Sequence, residues 1–288
     1  MNKSKPTPLH EARELTADDV FVDNEIICLV KNGKPATGRV TARHEDGLLD
    51  FRVDVYNGKR HGLFEEFFED GNLRYWCHYS HGKKDFYDER YDKYERLIQS
   101  DGWQNGVLHG RCESYELGAV SAVQHFENGE LHGLWEKYGA RNVVLFHGHY
   151  VRGQRDGWHV WRYPNNKTEA EYHYELGVKT GRWRVFYDTG ELMHERFYED
   201  DKVVGEHRYY YENGVLARVL PYVDGKLEGS CFDYHPNGTL KQVTPVTDGV
   251  RHGIERQYDR ALKKRREIRW EHGQAHSDIS FLSDPYPS

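Results

Sequence analysis

Glycine recurs along this 288-residue chain on a fixed grid, and the grid limits what the chain can fold into. Gly58, Gly82, Gly106, Gly129, Gly153, Gly177, Gly225, Gly249 and Gly273 stand 24 residues apart, with one step of 23 and one of 48, where Asp201 takes the vacant node. Gly33 lies 25 residues before Gly58. A second glycine usually follows four residues later, at Gly62, Gly110, Gly133, Gly157, Gly181, Gly205, Gly229 and Gly253, and Gly38 stands five after Gly33. A third column holds Gly47, Gly71, Gly118, Gly190, Gly214 and Gly238. Together these columns take 25 of the 28 glycines. Self-similarity at a period of this size marks a repeat architecture, in which each unit buries its surface only against its neighbours.

One period reads as a β-hairpin plus a connecting turn. Residues 177–198, GVKTGRWRVFYDTGELMHERFY, begin with two glycines around a short polar loop. A run rich in Trp, Val, Phe and Tyr follows, and such residues favour strands. Thr189-Gly190, Asn213-Gly214 and Asn237-Gly238 then stand between strand-like runs, which predicts a two-residue type I′ turn. That register places Trp183 opposite Arg196, Val185 opposite His194 and Tyr187 opposite Leu192 on one face. The other face pairs Arg184 with Glu195 and Arg182 with Phe197. Neither face is cleanly apolar, which argues against a sandwich. The expected fold is all-β, an elongated, twisted antiparallel β-meander of about ten 24-residue hairpin repeats. Residues 30–277 form the repeat domain, residues 1–29 a partly ordered capping segment with a short helix as one reading of residues 10–15, and residues 278–288 a tail. The unit at 82–105 departs from the grid, with Phe86 at the second glycine position; an irregular hairpin is favoured there over a helical excursion.

Composition narrows the function. Only 37% of residues are hydrophobic, while aromatics reach 14% with 21 tyrosines, which suits rings packed across strands rather than a thick aliphatic core. Three residues before the first-column positions stand Tyr79, Trp103, Phe126, Tyr150, Tyr174, Tyr198, Tyr222, Val246 and Trp270, a ladder expected to be structural. A net charge of −7 argues against direct nucleic-acid binding. Cys28, Cys77, Cys112 and Cys231 form no CxxC pair, which points to a reducing, cytoplasmic setting. No secretory signal and no transmembrane helix are expected.

The grid absorbs most apparent chemistry. His61, His109, His132 and His252 share one repeat position, so successive members are two strands and roughly 9–10 Å apart, too far for one zinc ion. Acidic pairs such as Glu65-Glu66 lack a predicted pocket to shift their pKa values. The basic run from Lys263 to Arg266 reads as a solvated strand and turn. No nucleophile elbow, P-loop or H-E-x-x-H motif is present. No catalytic residue, metal or cofactor is expected.

The pattern aromatic-x-x-Gly-x-x-x-Gly-x-Trp-x-x-Phe/Tyr-Tyr-x-x-Gly-x-Leu, complete from Tyr174 to Leu192, resembles the bacterial variant of the MORN repeat. The unit from Tyr198 to Leu216 keeps Gly205, Gly214 and Leu216 but has Asp201 and His207 at two motif positions. The resemblance spans roughly 85% of the chain. It implies binding rather than catalysis, since many bacterial proteins with these repeats are classed as antitoxins or resemble immunity proteins. It implies as partner a cognate protein toxin, which the acidic balance would suit if the toxin is basic, such as a nuclease. MORN repeats elsewhere are linked to scaffolding and membrane lipid, so a membrane-surface module is the alternative. The candidate partner-binding residues form an aromatic strip through the middle units: Trp135, His159, Trp161, Tyr163, Trp183, Tyr187, His207, Tyr209 and Tyr211. Trp and Tyr are enriched at interface hot spots, while packing between repeats is the competing role for the same rings.

Overall fold

The computed structural model describes residues 13–23 and 25–281, and most of them are strand, joined by turns and short loops. Among the described residues the helical turns are two short 3-10 turns, Ala17–Asp19 and Ala140–Asn142. The chain divides into two compact units, one ending at Tyr138 and one starting at Gly139.

In the first unit, strands Gly38–Arg43, Leu49–Tyr56, Lys59–Phe67, Leu73–Ser80, Lys83–Tyr91, Leu97–Gln104, Gly110–Glu116, Ala119–Glu127 and Gly133–Tyr138 form an antiparallel meander in which each pairs with the next. Its first edge is covered by Glu14–Thr16, which pairs parallel to Gly38–Arg43. Leu15 there is buried with Ala36, Val40, Val53 and Val55, and Ile27 and Leu29 of a small separate hairpin pack on the same cluster. Where the segment at 10–15 is described it is therefore strand rather than helix; residues 10–12 lie outside the described residues. The second unit repeats the meander from Val144–Val151 to Gln274–Ser280, so the last strand runs beyond residue 277.

Each glycine column has a distinct backbone duty. All 25 grid glycines have positive φ, and Gly102, Gly139 and Gly148, the three off the grid, do not. The two-residue turns lie at the first column: from Asn57-Gly58 to His272-Gly273 both central residues have φ between +45° and +90°, as a type I′ turn requires. Asp201 meets this with φ +64° while its Oδ1 accepts the Lys179 N–H at 3.0 Å. The node amides also reach the preceding repeat, as in Gly82 N–H to Arg60 C=O at 2.8 Å and Gly177 N–H to Arg155 C=O at 2.7 Å. The second column sits at strand bulges; opposite Gly181 the pairing register shifts between Glu171 and His173.

The third column differs from expectation. Thr189, Asn213 and Asn237 do not have positive φ, so these turns are not type I′. Tyr187 N–H bonds to Glu191 C=O at 2.8 Å and Gly190 N–H to Tyr187 C=O at 2.9 Å, closing a three-residue turn with Gly190 as the left-handed bulge residue. Phe186 consequently pairs with Leu192, while Trp183 still faces Arg196 and Val185 faces His194. Asn213 instead accepts the Val215 N–H through its side chain, a local bond that Asn makes readily. The unit at 82–105 is a hairpin of Lys83–Tyr91 and Leu97–Gln104. Its Phe86 takes the bulge conformation at φ +70°, where most units hold glycine.

The second unit packs through rings. Tyr150, His159, Tyr174, Trp183 and Tyr198 form an unbroken chain with successive centroids 5.1, 5.2, 5.2 and 4.6 Å apart. Trp183 also stacks on Tyr172 at 4.3 Å and donates its indole N–H to His173 C=O at 3.0 Å. His207 continues the column, stacked on Tyr209 at 4.2 Å. The off-grid Gly148 makes room for this chain, since a Cβ there would lie 2.4 Å from the His159 ring. Desolvation holds His159 at about 4 and His207 at about 4, both well below the ordinary histidine value.

Two outcomes follow from these contacts. At Gly58, φ is +76° and an added Cβ would lie 2.3 Å from Ile26, whereas at Gly153, also at +76°, nothing lies within 4 Å. Gly58→Ala is therefore expected to lower stability by about 3 kcal/mol and Gly153→Ala by about 1 kcal/mol in urea unfolding; equal losses would show that the close approach to Ile26 has no weight. The buried histidines bind protons in the unfolded chain at a pH where the folded chain leaves them neutral. Their contribution is complete above the unfolded value near 6.5 and is lost as pH falls toward 4, by on the order of 2–3 kcal/mol per ring. His159→Phe with His207→Phe should flatten the decline in urea midpoint between pH 7 and 5; an unchanged slope would contradict this origin.

Candidate partner-binding face

Side chains alternate across a strand, so a ring column packed on one face fixes which residues the other face presents. His159 is fully buried, and Trp158 beside it is 47% exposed. Pairing then sets out a row on that second face: Trp158 with His173, Arg182 with Phe197, Glu206 with Pro221, Ser230 with Pro245, and Ile254 with Arg269. Phe197 and Ile254 are each 38% exposed, and the row follows the sheet for roughly 43 Å at the usual strand spacing. Trp158 is steadied edge-on against His173 at 4.9 Å. On the same face the polar part of the row is held by Glu195, which is buried under its partners, accepts Arg182 Nε–H at 2.7 Å and the Tyr210 hydroxyl at 3.3 Å, and lies 3.5 Å from Arg208 Nη1. The result is an apolar and aromatic strip with charges at set positions, on a surface stiffened by the rings behind it.

The nine residues singled out from sequence lie elsewhere. His159, Trp183 and His207 are buried in the ring chain. Trp161 is half-buried against Phe146 at 4.8 Å and Tyr172 at 5.2 Å. Tyr163, Tyr187 and Tyr211 clasp one repeat to the next, donating their hydroxyls to the carbonyls of Phe186, Tyr210 and Tyr234 at 2.9, 2.9 and 2.7 Å. Tyr209 and Tyr211 also front a shallow hollow of about 370 Å³ with Arg218 and Asp233. Trp135, in the first unit, is half-buried with the Lys137 ammonium 5.0 Å from its ring centre. The structure thus joins most of this set through packing and hydroxyl clasps.

Sequence reasoning missed Trp158, Phe197 and Ile254 as exposed residues. A signal existed: Trp158 and Phe197 each lie one residue from the packed column, so they face the other side of the sheet, and Ile254 holds the repeat position equivalent to Trp158. The four cysteines are buried and free. Among the described residues no three His, Cys, Asp or Glu side chains converge as a metal-binding set, and no helix is long and apolar enough to cross a membrane.

Comparison with known proteins accords with the repeat geometry. The MORN repeat variant model matches residues 60–81, 179–200 and 203–224. No curated protein matches the chain. Among solved structures, the chain is similar to the Photorhabdus luminescens Tc holotoxin pore carrying the TccC3-D651A mutation at 10% identity and a TM-score of 0.20, covering 85% of this chain and 14% of that one. It is similar to the TcdB2-TccC3-TEV crystal structure at 12% identity and a TM-score of 0.18, covering 84% of this chain and 15% of that one. For TcdB2-TccC3-Cdc42 the identity is 10% and the TM-score 0.15, covering 90% of this chain and 20% of that one. These scores are too low to carry any argument, and the chain spans only a small part of each match. The three family matches fall on the 24-residue hairpins, so those repeats are similar to the MORN repeat variant.

Proposed function

We propose that the protein is a non-catalytic binding module, an immunity protein or antitoxin that grips a cognate toxin and occludes it. The observation that carries this reading is a strip on a ring-stiffened sheet in which Trp158, Phe197 and Ile254 are exposed and His173, Pro221 and Pro245 are half-buried between them. Large apolar groups presented by a rigid scaffold lose little freedom on association, and aromatic side chains dominate hot spots. A strip of this length supplies one side of a standard interface, about 800 Å². The net charge of −7 favours a basic partner through steering. Occlusion asks only that the strip seat beside the toxin's active site, so no group of this chain takes part in chemistry. A cytoplasmic setting, where a toxin would be met inside the cell, fits four unpaired cysteines.

Co-expression with the protein encoded by the neighbouring gene tests the proposal. A complex and rescue of growth are expected, and neither one appearing would overturn it. Trp158→Ala with Phe197→Ala is expected to weaken the complex by at least about tenfold while leaving the thermal melt within about 2 °C. Trp183→Ala should do the reverse, lowering the melting temperature through loss of a buried ring. Unchanged affinity in the first variant would remove the strip from the interface.

A further inference from the structure

The first unit contains a groove of about 490 Å³ lined by residues of strands Lys59–Phe67, Leu73–Ser80 and Lys83–Tyr91. Four cations, Arg60, Arg74, Lys84 and Arg90, line it against a single carboxylate, Glu66. This is a local excess of positive charge in a chain whose net charge is −7. Two of the four have acidic partners. Arg74 Nη1 lies 3.1 Å from Glu66, and Lys84 Nζ donates at 2.8 Å to Asp88, a fully buried carboxylate that also accepts the Tyr75 hydroxyl at 2.8 Å.

Arg60 and Arg90 are different. Arg60 donates to the Tyr79 hydroxyl at 3.1 Å and lies 5.5 and 5.4 Å from the centres of the Phe64 and Tyr79 rings. Arg90 donates to Gln99 Oε1 at 3.0 Å and lies 5.5 Å from the Tyr75 ring centre. Their partners are neutral, so neither charge is cancelled by these contacts. A guanidinium carries five N–H donors in a planar fork, so most of each fork remains available. The rings hold the forks in place, which reduces the ordering cost when a ligand arrives.

We propose that this groove binds an oxyanion, phosphate or carboxylate, carried on an aromatic or other flat apolar body. The two guanidiniums engage the oxygens, Lys84 adds a positive charge fixed by Asp88, and the body lies against Phe64, Tyr75 and Tyr79. A forked donor matches two oxygens of either anion, whereas a bare ion leaves the ring surfaces unused. The site belongs to the first unit and is independent of the strip on the second, so toxin binding and anion binding succeed or fail separately.

Isothermal titration of the full chain with phenyl phosphate, benzoate and inorganic phosphate tests this. At least one aromatic anion should bind saturably at one per chain, about tenfold or more tighter than inorganic phosphate. The ratio of phenyl phosphate to benzoate affinity identifies the oxyanion. Arg60→Gln with Arg90→Gln should weaken binding by roughly tenfold or more, and Arg90→Lys alone should weaken it while keeping the charge. Arg155→Gln serves as the control, since Arg155 makes the same contact, to the Tyr174 hydroxyl at 2.7 Å, in the second unit. No saturable binding of either aromatic anion, or equal binding by the arginine variants with an unchanged thermal melt, would overturn the proposal.

Discussion

The left-handed two-residue turn at each 24-residue node is the constraint on which the rest depends. It reverses the chain tightly enough that consecutive strands pair, and its amide bonds to a carbonyl of the preceding repeat, as Gly106 does to Lys84 at 2.8 Å. That bond sets the stacking distance between repeats. Once the distance is set, equivalent side chains fall into columns, and the columns can be filled by rings. Tyr174, Trp183 and Tyr198 are buried because each lies within ring contact of the next. The small aliphatic cluster around Val53 and Val55 is not enlarged along the chain. Stability in such an array accumulates between neighbours.

The glycine spacing made the repeats legible, and their hairpin nature followed from strand-like runs between turn residues. Cross-strand pairs such as Trp183 with Arg196 were legible too, because the assumed loop happened to preserve that register. The turn types were not. Asn-Gly in one column and Asn-Gly, Asp-Gly or Leu-Gly in another look alike in sequence, yet from Asn57-Gly58 onward the first-column pairs have both residues at positive φ, whereas in the third column Leu117-Gly118 alone does. The side chain of Asn213 bonds locally, and the bulge at Gly214 takes up the extra residue. Asp201 and Phe86 show the converse, positions where the repeat geometry imposes a left-handed conformation on a residue other than glycine.

The functional face was harder to read than the fold. Aromatic residues on neighbouring repeats look like a surface strip whether they are stacked on one another or offered to a partner. His159 and Trp158 are adjacent in sequence, and only the column of rings decides that the histidine turns inward and the tryptophan outward. The tyrosines at 163, 187 and 211 belong to neither class; their hydroxyls bind backbone a full repeat away, and no local pattern records such a bond. The repeat packs its rings on one set of positions, and the alternate set carries the exposed residues proposed to meet a partner.

Hydroxyl-radical footprinting read by mass spectrometry tests this division of faces most directly. In the native protein Trp158 should be oxidised at a rate near that of the unfolded chain, and Trp183 should be protected by an order of magnitude or more, with the two rates converging in denaturant. Comparable native rates at the two positions, or protection of Trp158 with exposure of Trp183, would contradict the assignment of the ring column to the interior and the strip to the surface.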